Sequence, residues 1–161
     1  MRTIKGPGVF LAQFARDEAP FDTIDGLAGW AADKGFKGVQ IPTWDRRTID
    51  LEKAADSQSY CDDYKGKLAD RGLVITELAS HLQGQLVALH PAFNLPADSF
   101  APREVHHNPK ARQEWAVRQL LLAAKASQRL GRYRFSIEVA DKRYSEQGGQ
   151  FGPPPPEPHC P

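Results

Sequence analysis

Two residues that could take part in proton transfer or hydrogen bonding lie at the end of an apolar segment. Glu77 lies within this segment, and His81 follows it. If the segment is an extended strand, every second residue from Ile75 to His81 would share one face. A neutral imidazole there can hydrogen-bond a hydroxyl group or assist proton transfer. The alternative is a hydrogen-bonded histidine that braces the loop after the strand.

Charged residues follow a second apolar segment. Asp45, Arg46 and Arg47 could contact a phosphate group there, although a charged surface loop is the more common arrangement. Glu77 lies within a strand, where an unpaired buried carboxylate would be costly, so we expect it to have a partner or to face a wet cavity. The other histidines show no metal-ligand spacing with an acidic partner: His90, His106, His107 and His159. The spacing therefore predicts no metal site on this chain.

Short apolar segments alternate with amphipathic ones along the chain. The predicted strands are residues 7–14, 38–41 and 73–79. The predicted helices, with apolar residues at helical spacing, are residues 24–34, about 57–71 and 109–130. Asp22 or Thr23 would cap the first helix, and Asn108 followed by Pro109 would begin the third. Each helix would end at a glycine: Gly35, Gly72 and Gly131.

This order of elements predicts an α/β fold. Strands that alternate with helices pair in parallel through right-handed crossovers. An open doubly wound sheet and a closed barrel both satisfy the pattern. No glycine fingerprint follows the first strand, which weakens a dinucleotide-binding interpretation.

Composition and charge exclude several classes of partner. The chain has 161 residues and a formal net charge of +1, which gives no electrostatic basis for binding nucleic acid or an anionic membrane. No apolar run is long enough to span a bilayer, and we recognise no signal peptide. The two cysteines, Cys61 and Cys160, form no CxxC pair and predict no disulfide framework. A reduced, cytoplasmic location is therefore expected.

The composition changes after Gly131. Residues 132–161 end in GGQFGPPPPEPHCP, which is too rich in proline and glycine to pack a core, so we expect this tail to be largely disordered. Alternating Tyr133, Phe135, Ile137 and Val139 allow a fourth strand within it. The alternative is that the tail is not native sequence.

Three segments resemble sugar phosphate isomerase/epimerase proteins of the xylose-isomerase-like TIM-barrel family. They are KGPGVFLAQF at residues 5–14, GFKGVQIPTWD at 35–45, and ITELASHLQGQLVALHPAF at 75–93, continuing into NPKARQEWAVRQLLLAAKASQRLG at 108–131. The third is the most specific because a long run matches. Residues 1–131 are therefore predicted to be the N-terminal part of such a barrel, whereas residues 132–161 do not resemble the family. A truncation or a frameshift after Gly131 would explain this boundary, because the codons of residues 132–135, read one base later, permit plausible strand residues.

The resemblance implies a (β/α)8 barrel, which typically needs about 250 residues. This chain would then hold about three βα units of a partial barrel, with a fourth strand allowed. In the family, two Glu, one Asp and one His from later strands hold a divalent metal such as Mn, Mg, Zn or Co. No position here matches any of these ligands, so no metal is expected on this chain. The unpaired edge strands of a partial barrel would favour self-association.

Barrel active sites lie at the C-terminal ends of the strands and in the loops that follow. This rule nominates His81 as the catalytic residue, since it could hydrogen-bond a sugar hydroxyl or transfer a proton. It also nominates seven substrate-binding residues: Gln13, Gln40, Trp44, Asp45, Glu77, Gln83 and Gln85. Trp44 could stack on the apolar face of a sugar, or it could cover the barrel rim as an ordinary loop aromatic.

The resemblance implies metal-assisted proton transfer through an enediolate on a sugar or sugar phosphate. This chain would supply only rim contacts, so we expect it to be inactive alone. The first alternative is a metal-dependent hydrolase resembling the phosphodiester-cleaving endonucleases of the same barrel superfamily, which would need more histidine ligands and a basic groove. The second is a non-catalytic binding or assembly module.

Overall fold

The computed structural model describes residues 5–131 and the backbone of residues 134–136. Four strands are present in this part of the chain: β1 (Gly8–Phe10), β2 (Gly38–Pro42), β3 (Val74–Ala79) and β4 (Arg134–Ser136). The helices are α1 (Ile24–Asp33), α2 (Leu51–Asp56), α3 (Gln58–Ala69), α4 (His81–Gln85), α5 (Asn94–Ala97) and α6 (Pro109–Arg129). Most of the predicted tail, residues 132–161, lies outside the described residues.

The described chain divides into two compact units. The first, the sheet unit, comprises residues 5–80 and 121–136 and contains all four strands. The second, the helical unit, comprises residues 81–120 and contains α4, α5 and the first half of α6. None of the described helices is both long enough and apolar enough to cross a membrane.

The strands of the sheet unit form one parallel sheet in the order β1-β2-β3-β4. The α/β class and the parallel pairing predicted from the sequence are therefore confirmed. Part of the strand that the sequence allowed in the tail is present, because Arg134–Ser136 pairs in parallel with β3, whereas Tyr133, Ile137 and Val139 lie outside the described residues.

A register shift between β2 and β3 changes which residues share a face. Val39 pairs with Ile75, but Gln40 pairs with Glu77, so Thr76 is an extra residue in β3. Ile75 and Leu78 both join the core as a result, whereas strict alternation would place them on opposite faces. The alternation expected from Ile75 to His81 is therefore wrong, and β3 itself ends at Ala79, before His81.

One hydrophobic cluster joins the sheet to the three predicted helices. Val39, Ile41, Ile75 and Leu78 of the strands pack in it with residues of α1, α3 and the end of α6. The helical members are Leu27, Ala28 and Ala31 of α1, Leu51 and Ala54 of α2, Cys61, Tyr64 and Leu68 of α3, and Ala123 and Ala126 of α6, and Leu130 directly after α6 joins them. Burying each large apolar side chain stabilises the fold by about 1.5–3 kcal/mol. The three predicted helices and the short helix α2 therefore contribute to a single core on one face of the sheet.

The helix ends follow the predicted capping chemistry. Thr23 Oγ1 accepts a hydrogen bond from the Gly26 N–H at 3.2 Å, and Asn108 Oδ1 accepts one from the Ala111 N–H at 3.1 Å. Each satisfies a first-turn donor that the helix itself leaves unpaired. The three predicted terminators all have positive φ: Gly35, Gly72 and Gly131.

Two features of the fold differ from the expectations. A short helix, α2, precedes α3 where the sequence predicted a loop, and Asp50 caps it by accepting from the Lys53 N–H at 3.1 Å. The predicted long loop after β3 contains α4, α5 and several 3-10 turns. Segments this short carry too few residues to show a clear helical period.

Candidate functional site

The central polar contact of the sheet unit joins β2 to β3. Gln40 lies between the core residues Val39 and Ile41, so its side chain is on the opposite face of the sheet. Its Nε2 donates a hydrogen bond to Oε1 of Glu77, the residue directly opposite it in the register. The extra residue Thr76 makes this pairing possible. Both side chains are half-buried, and Gln40 is the partner that a carboxylate within a strand was expected to need.

The extra residue Thr76 also restricts which side chain β2 can carry at position 38. A Cβ atom at Gly38 would lie 2.6 Å from Cγ2 of Thr76, nearer than two carbons can approach without a shift. Thr76 is held there because its Oγ1 donates to the Val39 carbonyl at 3.1 Å. Gly38 and Thr76 thus fix the backbone that places the Gln40–Glu77 pair.

An aromatic contact lies beside this pair. Phe10 of β1 is in register with Gln40, and its ring meets the Trp44 ring edge to face at 6.1 Å between centroids. Such contacts stabilise by about 0.5–1.5 kcal/mol beyond their buried area. Trp44 is half-buried, so the Phe10 contact orients a ring that still has exposed surface. Ligand stacking by Trp44 stays a prediction.

A buried hydroxyl pair continues the β2–β3 contact beyond the strand ends. Thr43 and Ser80 have exposures of 4% and 0%, and their Oγ atoms are 2.9 Å apart. Thr43 Oγ1 also hydrogen-bonds the Ala79 carbonyl at 3.0 Å. This pair was not predicted from the sequence. The available signal was that a hydroxyl residue directly follows each of two neighbouring strands. The pair fixes the starting points of both rim loops.

Asp45 and Arg47 form an ion pair in the loop after β2. The Asp45 carboxylate accepts from the Arg47 backbone N–H at 3.0 Å and from its Nη2 at 2.8 Å. Burial raises the pKa of Asp45, but the hydrogen bonds and charge of Arg47 outweigh that effect and leave the pKa below its ordinary value. Arg47 Nη1 also contacts Asp17 at 2.7 Å. Arg47 is therefore held by two carboxylates, which favours the structural interpretation of this loop over phosphate binding.

Gln13 ends the 3-10 turn that follows β1, Leu11–Gln13, and its side chain is exposed. Of the predicted residues in the sheet unit, only Gln40 and Glu77 contact each other directly among the bonds described. Trp44, Asp45 and Gln13 lie in the segments that leave the C-terminal ends of β1 and β2.

The remaining predicted residues belong to the helical unit, where α4 carries them. His81 is half-buried, whereas Gln83 and Gln85 have exposures of only 1% and 4%. Gln85 Oε1 is buried with no hydrogen-bond partner in the described part of the chain. An unsatisfied buried acceptor costs about 1–3 kcal/mol. These glutamines were expected on an open rim, and their burial follows from the helix that replaces the predicted loop.

The helical unit also contains a buried ion pair that sequence reasoning missed. Arg112 Nη1 donates to Asp98 Oδ1 and, at 2.9 Å, to the Asn94 carbonyl. Asp98 Oδ2 accepts from the His107 backbone N–H at 2.9 Å, and this bond together with Arg112 lowers the Asp98 pKa despite its burial. The sequence does contain a signal for the burial of Arg112, because this residue lies one helical turn before the buried Ala116 and on the same face of α6.

We tested whether the described residues could hold the metal of the resembled family. Within residues 5–131, no three His, Cys, Asp or Glu side chains form a group that could bind an ion. The described residues therefore do not fit the metal site of that family.

Comparison with known proteins adds no assignment. No protein-family model matches the chain, and no curated protein matches it at a significant level.

Proposed function

We propose that this chain supplies the first βα units of a sugar or sugar phosphate isomerase/epimerase barrel. In this proposal the Gln40–Glu77 pair binds hydroxyl groups of the sugar, and the expected location is the cytoplasm. The observation that carries the proposal is a polar, hydrogen-bonded pair on the sheet face opposite the helical core.

The order of the strands supports a barrel over a doubly wound sheet. In a doubly wound sheet the strand order reverses at a switch point and helices cover both faces. Here the order is sequential, and α1, α3 and α6 contribute to one core cluster. Successive right-handed crossovers that keep all helices on one side produce the wall of a barrel. The opposite face then becomes the interior.

The chemistry of the pair suits a polyhydroxylated ligand. The Glu77 carboxylate accepts hydrogen bonds, and the Gln40 amide both donates and accepts. Sugar hydroxyls do the same, so each can bridge the two side chains. Trp44, oriented by Phe10, offers an aromatic face of the kind that packs on the apolar face of a sugar ring.

The proposed reaction is proton transfer next to a carbonyl through an enediolate. In a complete barrel a divalent metal would stabilise the negative charge that develops on oxygen. The described residues hold no group of three metal-ligating side chains, so we propose that the strands of this chain bind and orient the substrate. A proton-transfer role for His81, which belongs to the helical unit, stays a prediction. We expect no turnover by the chain alone.

Ligand-observed NMR on the full chain tests the binding step. The probes are D-xylose, D-fructose and D-ribulose 5-phosphate, and we expect saturation transfer to at least one of them. Gln40→Leu and Glu77→Gln should each weaken that binding by about tenfold, because each removes a hydrogen-bonding group whose loss costs on the order of 1–2 kcal/mol. Glu52→Gln is the matched control, since Glu52 is an exposed residue of α2.

Two results would contradict the proposal. The first is sugar binding that is weakened equally in Glu52→Gln, or that is unchanged in both site variants. Either outcome would show that the Gln40–Glu77 pair does not bind the sugar. Interconversion of ketose epimers by the purified chain with added Mn²⁺ would overturn the expectation that the chain is inactive alone.

A further inference from the structure

The helical unit contains a small pocket of about 280 Å³ with two kinds of wall. Leu86, Val87 and Leu89 form an apolar side. Lys110 and Arg112, from the first turn of α6, contribute the other side. Ligand pockets for drug-sized molecules begin at about 300 Å³, so this pocket suits a smaller molecule.

The electrostatics of the pocket favour a negative charge. The described residues that line it include no carboxylate and two cationic side chains, of which Arg112 is paired with Asp98 behind the wall and Lys110 is exposed. The first turn of α6, a helix of 21 residues, adds the positive end of the helix dipole. Lys110 does meet Glu114 at 3.9 Å, but both side chains are largely exposed and such pairs contribute little.

Arg112 provides a second and independent indication of a ligand. The side chain is 2% exposed, and its two Nη groups are bound to Asp98 and Asn94. Its Nε N–H is buried and has no partner in the described part of the chain. A native structure rarely leaves such a donor unpaired, because the cost is about 1–3 kcal/mol. Arg112 lines the pocket, so an oxyanion that accepted a hydrogen bond from this N–H would offset that cost.

We infer that this pocket binds a compact organic oxyanion, a carboxylate or phosphate monoester attached to a small apolar group. The oxyanion lies at the start of α6 beside Lys110 and Arg112, and the apolar group packs against Leu86, Val87 and Leu89. The inference is independent of the proposed sugar-binding function, since it uses none of the residues of that site.

The experiment is a titration of the full chain, at constant ionic strength, with phenyl phosphate, benzoate and inorganic phosphate. Phenyl phosphate or benzoate should bind more tightly than inorganic phosphate, because only the first two reach the apolar wall. Lys110→Gln should weaken this binding by about two- to fivefold, as expected for one exposed charge at a helix start. Lys125→Gln, an exposed lysine near the other end of the same helix, is the control and should leave the affinity unchanged.

A second variant tests whether the ligand occupies the volume of this pocket. Leu89→Trp places a larger side chain at the apolar wall and should abolish binding of the aromatic anions. Lys110→Gln keeps the test decisive if Leu89→Trp fails to fold, because Lys110 is exposed and does not support the core. The inference is overturned if neither aromatic anion binds, or if both lysine variants weaken binding equally, which would indicate diffuse attraction to a basic helix.

Discussion

The two units of this protein stabilise themselves differently. The sheet unit buries an extensive apolar cluster from its strands and four helices, and its most prominent polar pair, Gln40–Glu77, is half-buried on the opposite face. The helical unit buries a much smaller apolar cluster of Leu86, Ala97 and Ala116, and it buries the Asp98–Arg112 ion pair as well. The sheet unit, built from regular elements, therefore relies mainly on apolar burial, and its buried polar groups are uncharged hydroxyls such as those of Thr43 and Ser80. An irregular segment needs a polar network to fix its conformation.

The strongest way to test this difference is to break the ion pair. Arg112→Met should cost about 3–5 kcal/mol, because it leaves the Asp98 carboxylate buried with no counter-charge. The loss should appear as faster amide hydrogen exchange within residues 81–120, with smaller changes in β2 and β3. Exchange measured by NMR or mass spectrometry on the full chain resolves the two regions.

A double replacement provides the control. Arg112→Met combined with Asp98→Leu removes both charges and should recover much of the lost stability, as apolar substitutes for buried pairs often do. If the single variant left exchange in residues 81–120 unchanged, the ion pair would not hold this unit and the comparison would fail.

The helices of the sheet unit could be predicted from sequence for a physical reason. Each combines a capping side chain, an apolar stripe and a terminal glycine, as in the helix that begins after Thr23 and ends at Gly35. These signals are local, so one short segment contains all of them. The parallel sheet then follows from the alternation of strands and helices.

The polar contacts could not be predicted in the same way. The Gln40–Glu77 pair depends on the extra residue Thr76, and a shift of register is a property of two strands together. The Asp98–Arg112 pair joins a 3-10 turn to α6, so its two residues lie in different elements and their contact depends on how the chain folds between them. Residues could thus be nominated for the site from their positions at strand ends, while their partners required the tertiary structure.

Lowering the pH should distinguish the two units. The folded-state pKa of Asp98 lies below its ordinary value, so the native state binds fewer protons than the unfolded state between these two pKa values. Its stabilisation is therefore complete well above about pH 4 and is lost as the pH falls through the lowered pKa. Hydrogen exchange in residues 81–120 should accelerate on acidification.

Asp98→Asn is the matched variant for this measurement. It should be less stable at neutral pH, but the acid-induced acceleration in residues 81–120 should be reduced because the titrating group is absent. Asp45 also has a lowered pKa and remains in both proteins, so it contributes equally to the comparison. An undiminished pH response in Asp98→Asn would assign the effect to another carboxylate.

The smallest expected effect compares one helix cap from each unit. Thr23→Ala and Asn108→Ala each remove a side-chain acceptor for a first-turn N–H, and each should cost about 1 kcal/mol in chemical denaturation. Thr23→Ser and Asn108→Asp keep an acceptor and should stay within a few tenths of a kcal/mol of the parent. A cost of several kcal/mol for Asn108→Ala alone would sharpen the comparison. It would mean that the start of α6, between His107 and Arg112, is coupled to the buried ion pair, so that a single cap supports the whole polar network of the helical unit.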